Sequence, residues 1–251
     1  MKTIAVFSAL KEEIKNLKKT GHFSPVQTSS GWQVWKGQTA EKEVLLILTG
    51  VGKKKAQRCA EWALKEFPID LIISTGFAGA LDTGSKAGEV VVYSRLISDE
   101  SKSPTSEKGM AVVCDPGLVK LARECAAGPA VRTNLVKGIS IDRVCASPEA
   151  KSSLGSETGC QAVDMESFWI GQIAAEKKIP FVTVRSIIDE VGDDLSFLDR
   201  ISEGGKIAPT RILKWLLTNP GGLKILVSSY RNYRRAAANL SVVMQAVVRK
   251  V

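Results

Sequence analysis

Short apolar runs alternate with longer amphipathic stretches over the first two hundred positions of the chain. Thr3–Ser8 (TIAVFS) feeds a helical pattern over Ala9–Leu17, and Val44–Thr49 (VLLILT) feeds another from Lys53 to about Phe67. Leu71–Thr75, Glu89–Tyr93 and Phe181–Val184 are further buried strands bounded by glycine or proline. This alternation predicts an α/β fold with a doubly wound or mixed sheet. In such sheets ligands bind where the carboxyl ends of strands meet glycine turns and helix N-termini.

Leu195–Gly205 (LSFLDRISEGG) reads as a boundary. A helix starts at Pro209 and runs to about Thr218, where Asn219-Pro220-Gly221-Gly222 stops it. Beyond lies a longer helical pattern, with Leu226, Tyr230, Tyr233, Ala237, Leu240, Met244 and Val247 forming one apolar stripe. The reading is one domain over 1–251, of which 195–251 is a basic helical C-terminal extension. No repeat and no low-complexity tract interrupts it.

Charge sharpens the division. The chain of 251 residues has 35 Lys+Arg and 26 Asp+Glu, a net charge of +9. From residue 201 onward there are nine bases and a single acid, Glu203, so this segment holds +8 of the total while the rest is almost neutral. Amphipathic basic helices suit an anionic lipid surface. The same stripe equally suits packing on the protein's own core or on a partner subunit, with the bases solvated.

Other classes drop out. No apolar run approaches the roughly 18 residues of a membrane-spanning helix, and the N-terminus turns charged at Lys11, too early for a secretory leader. A cytoplasmic protein is expected, at most peripheral to the inner membrane face. The five cysteines are scattered without a CxxC pair, and His22 is the single histidine, so neither a disulfide framework nor a Cys/His metal site is supported. One histidine also weakens any Ser-His-Asp or Cys-His scheme, which leaves acid–base chemistry to carboxylates. No nucleic-acid recognition motif is present, and a basic tail alone supplies only nonspecific attraction.

Four segments stand at predicted strand ends. Ser8-Ala9-Leu10-Lys11-Glu12-Glu13 places two acids in a first helical turn, where they could serve chemistry or only complement the helix dipole. Thr49-Gly50-Val51-Gly52-Lys53 is a tight turn whose N–H groups suit phosphate or sugar hydroxyls, although it lacks a full GxGxxG pattern. Ser74-Thr75-Gly76-Phe77-Ala78-Gly79-Ala80-Leu81 clusters small residues after a buried strand, allowing close approach of a ligand or of neighbouring backbone. Last come Ala162-Val163-Asp164-Met165-Glu166-Ser167, opening a helix, and Arg185-Ser186-Ile187-Ile188-Asp189, ending a strand. Met165 shares a helical face with Phe168, Trp169 and Ile173, so by itself it reads as core.

Taken together, LTGVGK, STGFAGAL, AVDMES and VRSIID, in that order between Ile4 and about Asp194, resemble the purine nucleoside phosphorylase and uridine phosphorylase superfamily. Within it they resemble the methylthioadenosine/S-adenosylhomocysteine nucleosidases. The resemblance implies a three-layer α/β/α sandwich with a mixed, twisted central sheet, plus the C-terminal amphipathic helices, usually in homo-oligomers. It implies cleavage of the N-glycosidic bond of a purine nucleoside, without a metal or redox cofactor. Glu13 would position and activate the attacking water. Met165 would pack against the sugar and Glu166 would hold ribose hydroxyls. Asp189 would be the general acid, protonating the purine N7 and accepting from the exocyclic amine, which suits adenine. Gly76, Phe77 and Ala78 would line the substrate, and Val144 and Cys145 fall where the nucleosidases wall the base, with a looser contact.

The departures matter too. Phosphorylases of the superfamily hold phosphate with arginines where this chain has Lys11 and Ser74, which favours water as nucleophile; phosphate as co-substrate is the alternative. The nucleosidases place a serine where this chain has Phe77. The tail resembles the hopanoid-associated phosphorylases, which implies a lipid-linked adenine nucleoside such as adenosylhopane and a possible membrane contact. A catalytically inactive relative binding a membrane surface is a further alternative, against which the joint retention of Glu13, Glu166 and Asp189 argues.

Overall fold

The computed structural model describes residues 2–39, 41–102, 111–126, 131–198, 202–203, 206–207, 209–219 and 221–251. Pro220 and parts of the expected boundary (199–201, 204–205) lie outside the described residues. The order is β1 (Lys2–Ser8), α1 (Lys11–Thr20), β2 (Ser24–Val26), β3 (Gln33–Thr39), β4 (Lys42–Leu48), α2 (Lys53–Glu66), β5 (Leu71–Ala80) and β6 (Val90–Ser98). Then follow β7 (Val112–Val113), α3 (Pro116–Ala126), β8 (Thr133–Ser140), α4 (Pro148–Thr158), β9 (Ala162–Asp164), α5 (Ser167–Glu176) and β10 (Phe181–Asp189). A small hairpin, β11 (Ser202–Glu203) with β12 (Lys206–Ile207), leads to α6 (Pro209–Thr218) and α7 (Gly222–Lys250).

Among the described residues the main sheet has ten strands and is mixed, as the sequence predicted. β1 lies between β4 and β5, parallel to both, and β5 runs parallel to β10. β6 pairs antiparallel with β10 and parallel with β8, β8 is parallel to β9, and β9 returns antiparallel to β5. Half of the sheet therefore closes on itself through β5, β9, β8, β6 and β10. β3 and β2 extend the other edge as an antiparallel hairpin.

The central strands are buried on both faces, which is why they read as unbroken apolar runs rather than alternating ones. One core layer packs α2 and α5 on the sheet, α2 through the small residues Ala56, Cys59, Ala60 and Ala63, which let helix and strands approach closely. The opposite layer holds α1, α3 and the C-terminal half of α7. α4 is bounded as its sequence dictates: Ser147 Oγ accepts from the Ala150 N–H at 3.2 Å, Pro148 occupies the first turn, and Gly159 ends it in a left-handed conformation.

Two boundaries depart from the sequence reading, with consequences for the site. The small-residue motif does not follow β5 but lies inside it, since the strand runs on to Ala80 and pairs Arg185 with Gly76 and Ser186 with Phe77. Ala162–Asp164 is a strand, and the helix begins only at Ser167. Tertiary pairing with β10 and β9 supplies hydrogen bonds that a glycine-rich stretch could not be expected to find locally.

The C-terminal stripe divides as well. Ala236, Leu240, Val243, Met244, Val247 and Val248 are buried against β10, α1 and α3, so the second half of α7 belongs to the core. In the first half Tyr230 is 61% exposed, with Leu223 and Val227 beside it.

Candidate active site

A cavity of about 270 Å³ opens at the carboxyl ends of β1, β5 and β10. Its wall includes Glu13, Phe77, Ala78, Val144, Cys145, Met165, Glu166 and Asp189, which five separate segments deliver to one place. Gly76 stands behind this wall rather than in it.

Glu13 faces the cavity from the first turn of α1 and is 6% exposed. Its Oε2 accepts from Ser8 Oγ at 2.6 Å and from the Leu10 N–H at 2.9 Å, while Oε1 accepts from the Phe77 N–H at 2.9 Å. Three donors fix both oxygens. Glu12, its neighbour, is exposed, which settles which of the adjacent acids points inward. A β-carbon on Gly76 would overlap the Glu13 carboxyl and the Arg185 guanidinium, so that position requires glycine.

Arg185 is the pillar beneath Asp164 and Glu166. It is 1% exposed, and its guanidinium bonds Ser167 Oγ at 2.8 Å and Ser74 Oγ at 3.2 Å. It pairs with Asp164 at 3.4 Å and Glu166 at 3.7 Å. Asp164 in turn caps α5, its Oδ1 accepting from the N–H groups of Glu166 and Ser167, both at 2.9 Å, and from Ser140 Oγ at 2.7 Å. Glu166 is thereby set at the helix N-terminus, where the Gly52 N–H of the tight turn donates to its Oε1 at 2.9 Å. Burial pushes the Glu166 carboxyl up to about 7, against the opposing pull of Arg185.

Asp189 ends β10 and is 6% exposed. Burial raises its pKa above the usual carboxylate range, while Lys151 pulls it down. Lys151, fully buried on α4, pairs with Asp189 Oδ2 at 2.5 Å.

Val144 is 56% exposed, so the cavity is open on that side. Phe77 packs its ring edge-to-face on Tyr233 of α7, with centroids 5.5 Å apart. The C-terminal helix therefore buttresses the cavity wall. Among the described residues no group of three or more His, Cys, Asp or Glu is arranged to hold a metal ion.

Arg185 and Asp164 stand within the sequence motifs, but the motifs by themselves do not show that the two pair. The signal was available: a lone arginine inside the apolar run FVTVRSIID must be buried, and a buried guanidinium needs carboxylates. Lys151 left no such signal, because the α4 sequence, Pro148–Thr158, is mostly polar and looks solvated.

A family model described as "Phosphorylase superfamily" matches residues 3–213. A 5'-methylthioadenosine/S-adenosylhomocysteine nucleosidase of Bacillus thuringiensis subsp. konkukian is 28% identical over 202 residues, covering 76% of this chain and 87% of the relative. Among solved structures, a nucleosidase of the same description from Neisseria meningitidis, in complex with methylthio-immucillin-A, superposes with a TM-score of 0.80 at 23% identity, covering 100% of both chains. Futalosine hydrolase of Helicobacter pylori superposes with a TM-score of 0.79 at 18% identity, covering 100% of this chain and 98% of the other.

Proposed function

Since the chain belongs to the phosphorylase superfamily, we propose that it hydrolyses the N-glycosidic bond of a purine nucleoside, with adenine as the leaving base. The observation that carries this reading is the pair of buried carboxyls, Glu13 and Asp189, lining one cavity with different partners. The relatives named as nucleosidases and hydrolases support the reaction class.

Ribosyl C–N cleavage passes through an oxocarbenium-like state, so the leaving base must be neutralised on one side while a nucleophile waits on the other. Asp189, whose pKa burial raises, protonates the base at N7. Glu13 orients water and takes its proton. Glu166 holds the ribose hydroxyls and Met165 packs on the sugar face. Water is favoured over phosphate for a physical reason. A carboxylate at the nucleophile's end of the cavity repels an anion, and the nearest buried cation, Arg185, is already engaged by Asp164, Glu166 and two serines.

The 5′ substituent is proposed to be apolar and lipid-linked, as in adenosylhopane. This would place the enzyme in hopanoid biosynthesis, as a cytoplasmic homo-oligomer touching the membrane surface through α7. Support comes from the apolar side of the cavity, where Leu10, Val51, Phe77, Ile188, Leu195 and Leu198 gather. It comes also from the exposed face of α7, where Leu223, Val227 and Tyr230 lie among Lys224, Arg231 and Arg234. Among the described residues no helix is long and apolar enough to cross a membrane.

The test is adenine release from methylthioadenosine, 5′-deoxyadenosine and adenosine, with and without phosphate, beside Asp189→Asn. Phosphate-independent release abolished by the substitution is expected. Strict dependence on phosphate would establish phosphorolysis instead, and a fully active Asp189→Asn would remove Asp189 from the chemistry.

A further inference from the structure

Lys151 has no role in any of the steps above, yet it is among the largest fully buried side chains of the protein, with no exposure. An ammonium group taken out of water is stable only when every donor is satisfied and a counter-charge is close. Here both conditions hold. Its Nζ donates to the backbone carbonyls of Asp193 at 2.8 Å and Glu190 at 3.0 Å and pairs with Asp189 Oδ2 at 2.5 Å. The two carbonyls belong to the turn that follows β10, so the ammonium knits that turn to the end of the strand. Among the described residues it is the one ion-pair partner of Asp189.

We infer that Lys151 is a positioning residue for the acid. It is a fixed cation that ties down Oδ2 of Asp189, leaves Oδ1 for the base and neutralises the carboxylate once its proton has gone. The inference rests on Asp189 being the general acid. In that step the Asp189 O–H bond breaks and an N–H bond forms on the leaving purine. The electrons of the ribosyl C–N bond pass to the base, and a carboxylate remains in a buried site. Without a counter-ion that carboxylate would oppose the proton transfer; Lys151 stands ready where the charge develops and needs no reorganisation to meet it. A cost accompanies this arrangement, since the same cation favours the ionised acid before substrate arrives.

The other groups around Asp189 do not replace it. Asp193, in the following turn, raises the pKa of Asp189, and its own carboxylate accepts from the Glu190 N–H at 2.8 Å. Glu190 is paired with Lys86 at 2.9 Å. From the loop after β8, Arg143 and Cys145 line the same cavity, the Arg143 side chain exposed, and β5 brings the uncharged Gly79 against the Asp189 carboxyl.

The experiment compares the full-length protein with Lys151→Met and Lys151→Gln, which keep much of the stem and remove the charge. The acid must carry its proton, so kcat/KM falls as pH rises through the pKa of Asp189. Removing the cation lifts that pKa and should move the falling limb upward by about one pH unit or more. Plateau kcat should drop about 10- to 100-fold, with KM changing less. A lysine that serves only the fold would lower thermal stability and leave the limb where it is, which would overturn the inference. A readout independent of turnover is the titration of the Asp189 carboxyl by 13C NMR, assigned by loss of its signal in Asp189→Asn. Equal midpoints with and without Lys151 refute the inference even if no substrate is found. Should neither variant fold, a midpoint above about 8 in the unaltered protein, the range of buried carboxyls without a cation, refutes it too. A fully active Asp189→Asn would instead remove the functional reading beneath it.

Discussion

The backbone N–H of Phe77 donates to Oε1 of Glu13 at 2.9 Å across 64 positions of sequence. This bond joins the first helix to the small-residue stretch of β5, and it explains why that stretch is built as it is. Gly76 gives Glu13 and Arg185 room, Phe77 offers its N–H, and the Phe77 ring leans on Tyr233 of α7. The carboxylate proposed to activate water is thus oriented by two backbone N–H groups, of Leu10 and Phe77, together with the Ser8 hydroxyl.

Glu13→Gln should lower kcat by roughly 10²- to 10⁴-fold while changing KM little. An amide cannot accept at both ends, so one NH2 hydrogen would face either the Phe77 N–H or the Leu10 N–H. Steady-state kinetics with a phosphate-free nucleoside assay checks this. Retention of full kcat would mean that water is activated elsewhere.

Gly76→Ala should both destabilise the protein and inactivate it. The added methyl overlaps Arg185 and Glu13 at a backbone φ of +154°, a conformation that L side chains rarely adopt. The matched control is Gly192→Ala, where a β-carbon meets nothing within 4 Å and stability should stay within about 0.5 kcal/mol. Melting curves of the two variants give the comparison; equal melting temperatures would contradict the crowding.

Glu166 makes stability depend on pH. Its folded pKa of about 7 lies above the ordinary 4.5, so the native state holds a proton that the unfolded chain releases. Its contribution is therefore present at acid pH and lost as pH rises from about 4.5 through about 7. Glu166→Gln removes the titration, so the melting temperature of the variant relative to the unaltered protein should be higher at pH 8 than at pH 5. Nucleoside binding should weaken at both. A difference that stays constant with pH would show that Glu166 does not titrate in this range.

The C-terminal helix should separate into two functions. Charge reversal at the exposed Lys224, Arg231 and Arg234 should leave the fold intact and abolish sedimentation with vesicles rich in phosphatidylserine. Deletion from residue 222 should instead unfold the protein, because it removes five buried Leu, Val and Met side chains at roughly 1.5–3 kcal/mol each. Equal sedimentation of the unaltered and reversed proteins would end the membrane proposal.

The order of apolar runs and four short motifs were enough to predict a mixed α/β sheet and the family, and the residues expected at the site include eight of those that line the cavity. Those features are legible because each is local: a strand buried on both faces shows as an unbroken apolar run, and a glycine turn shows as glycines. What the tertiary structure decided are the relations that depend on distant chain meeting. The closing of half the sheet through β10 and β5, the course of β5 through its own glycines, and the choice of Glu13 over Glu12 needed partners far away in sequence. So did the division of α7 into a core half and an exposed half. Lys151 is the clearest case. Its neighbours along α4 are mostly polar, and a lysine in such company is ordinarily solvated. Only the approach of β10 and its following turn surrounds it with one carboxylate and two carbonyls, which makes burial of the charge affordable and places it on the proposed acid.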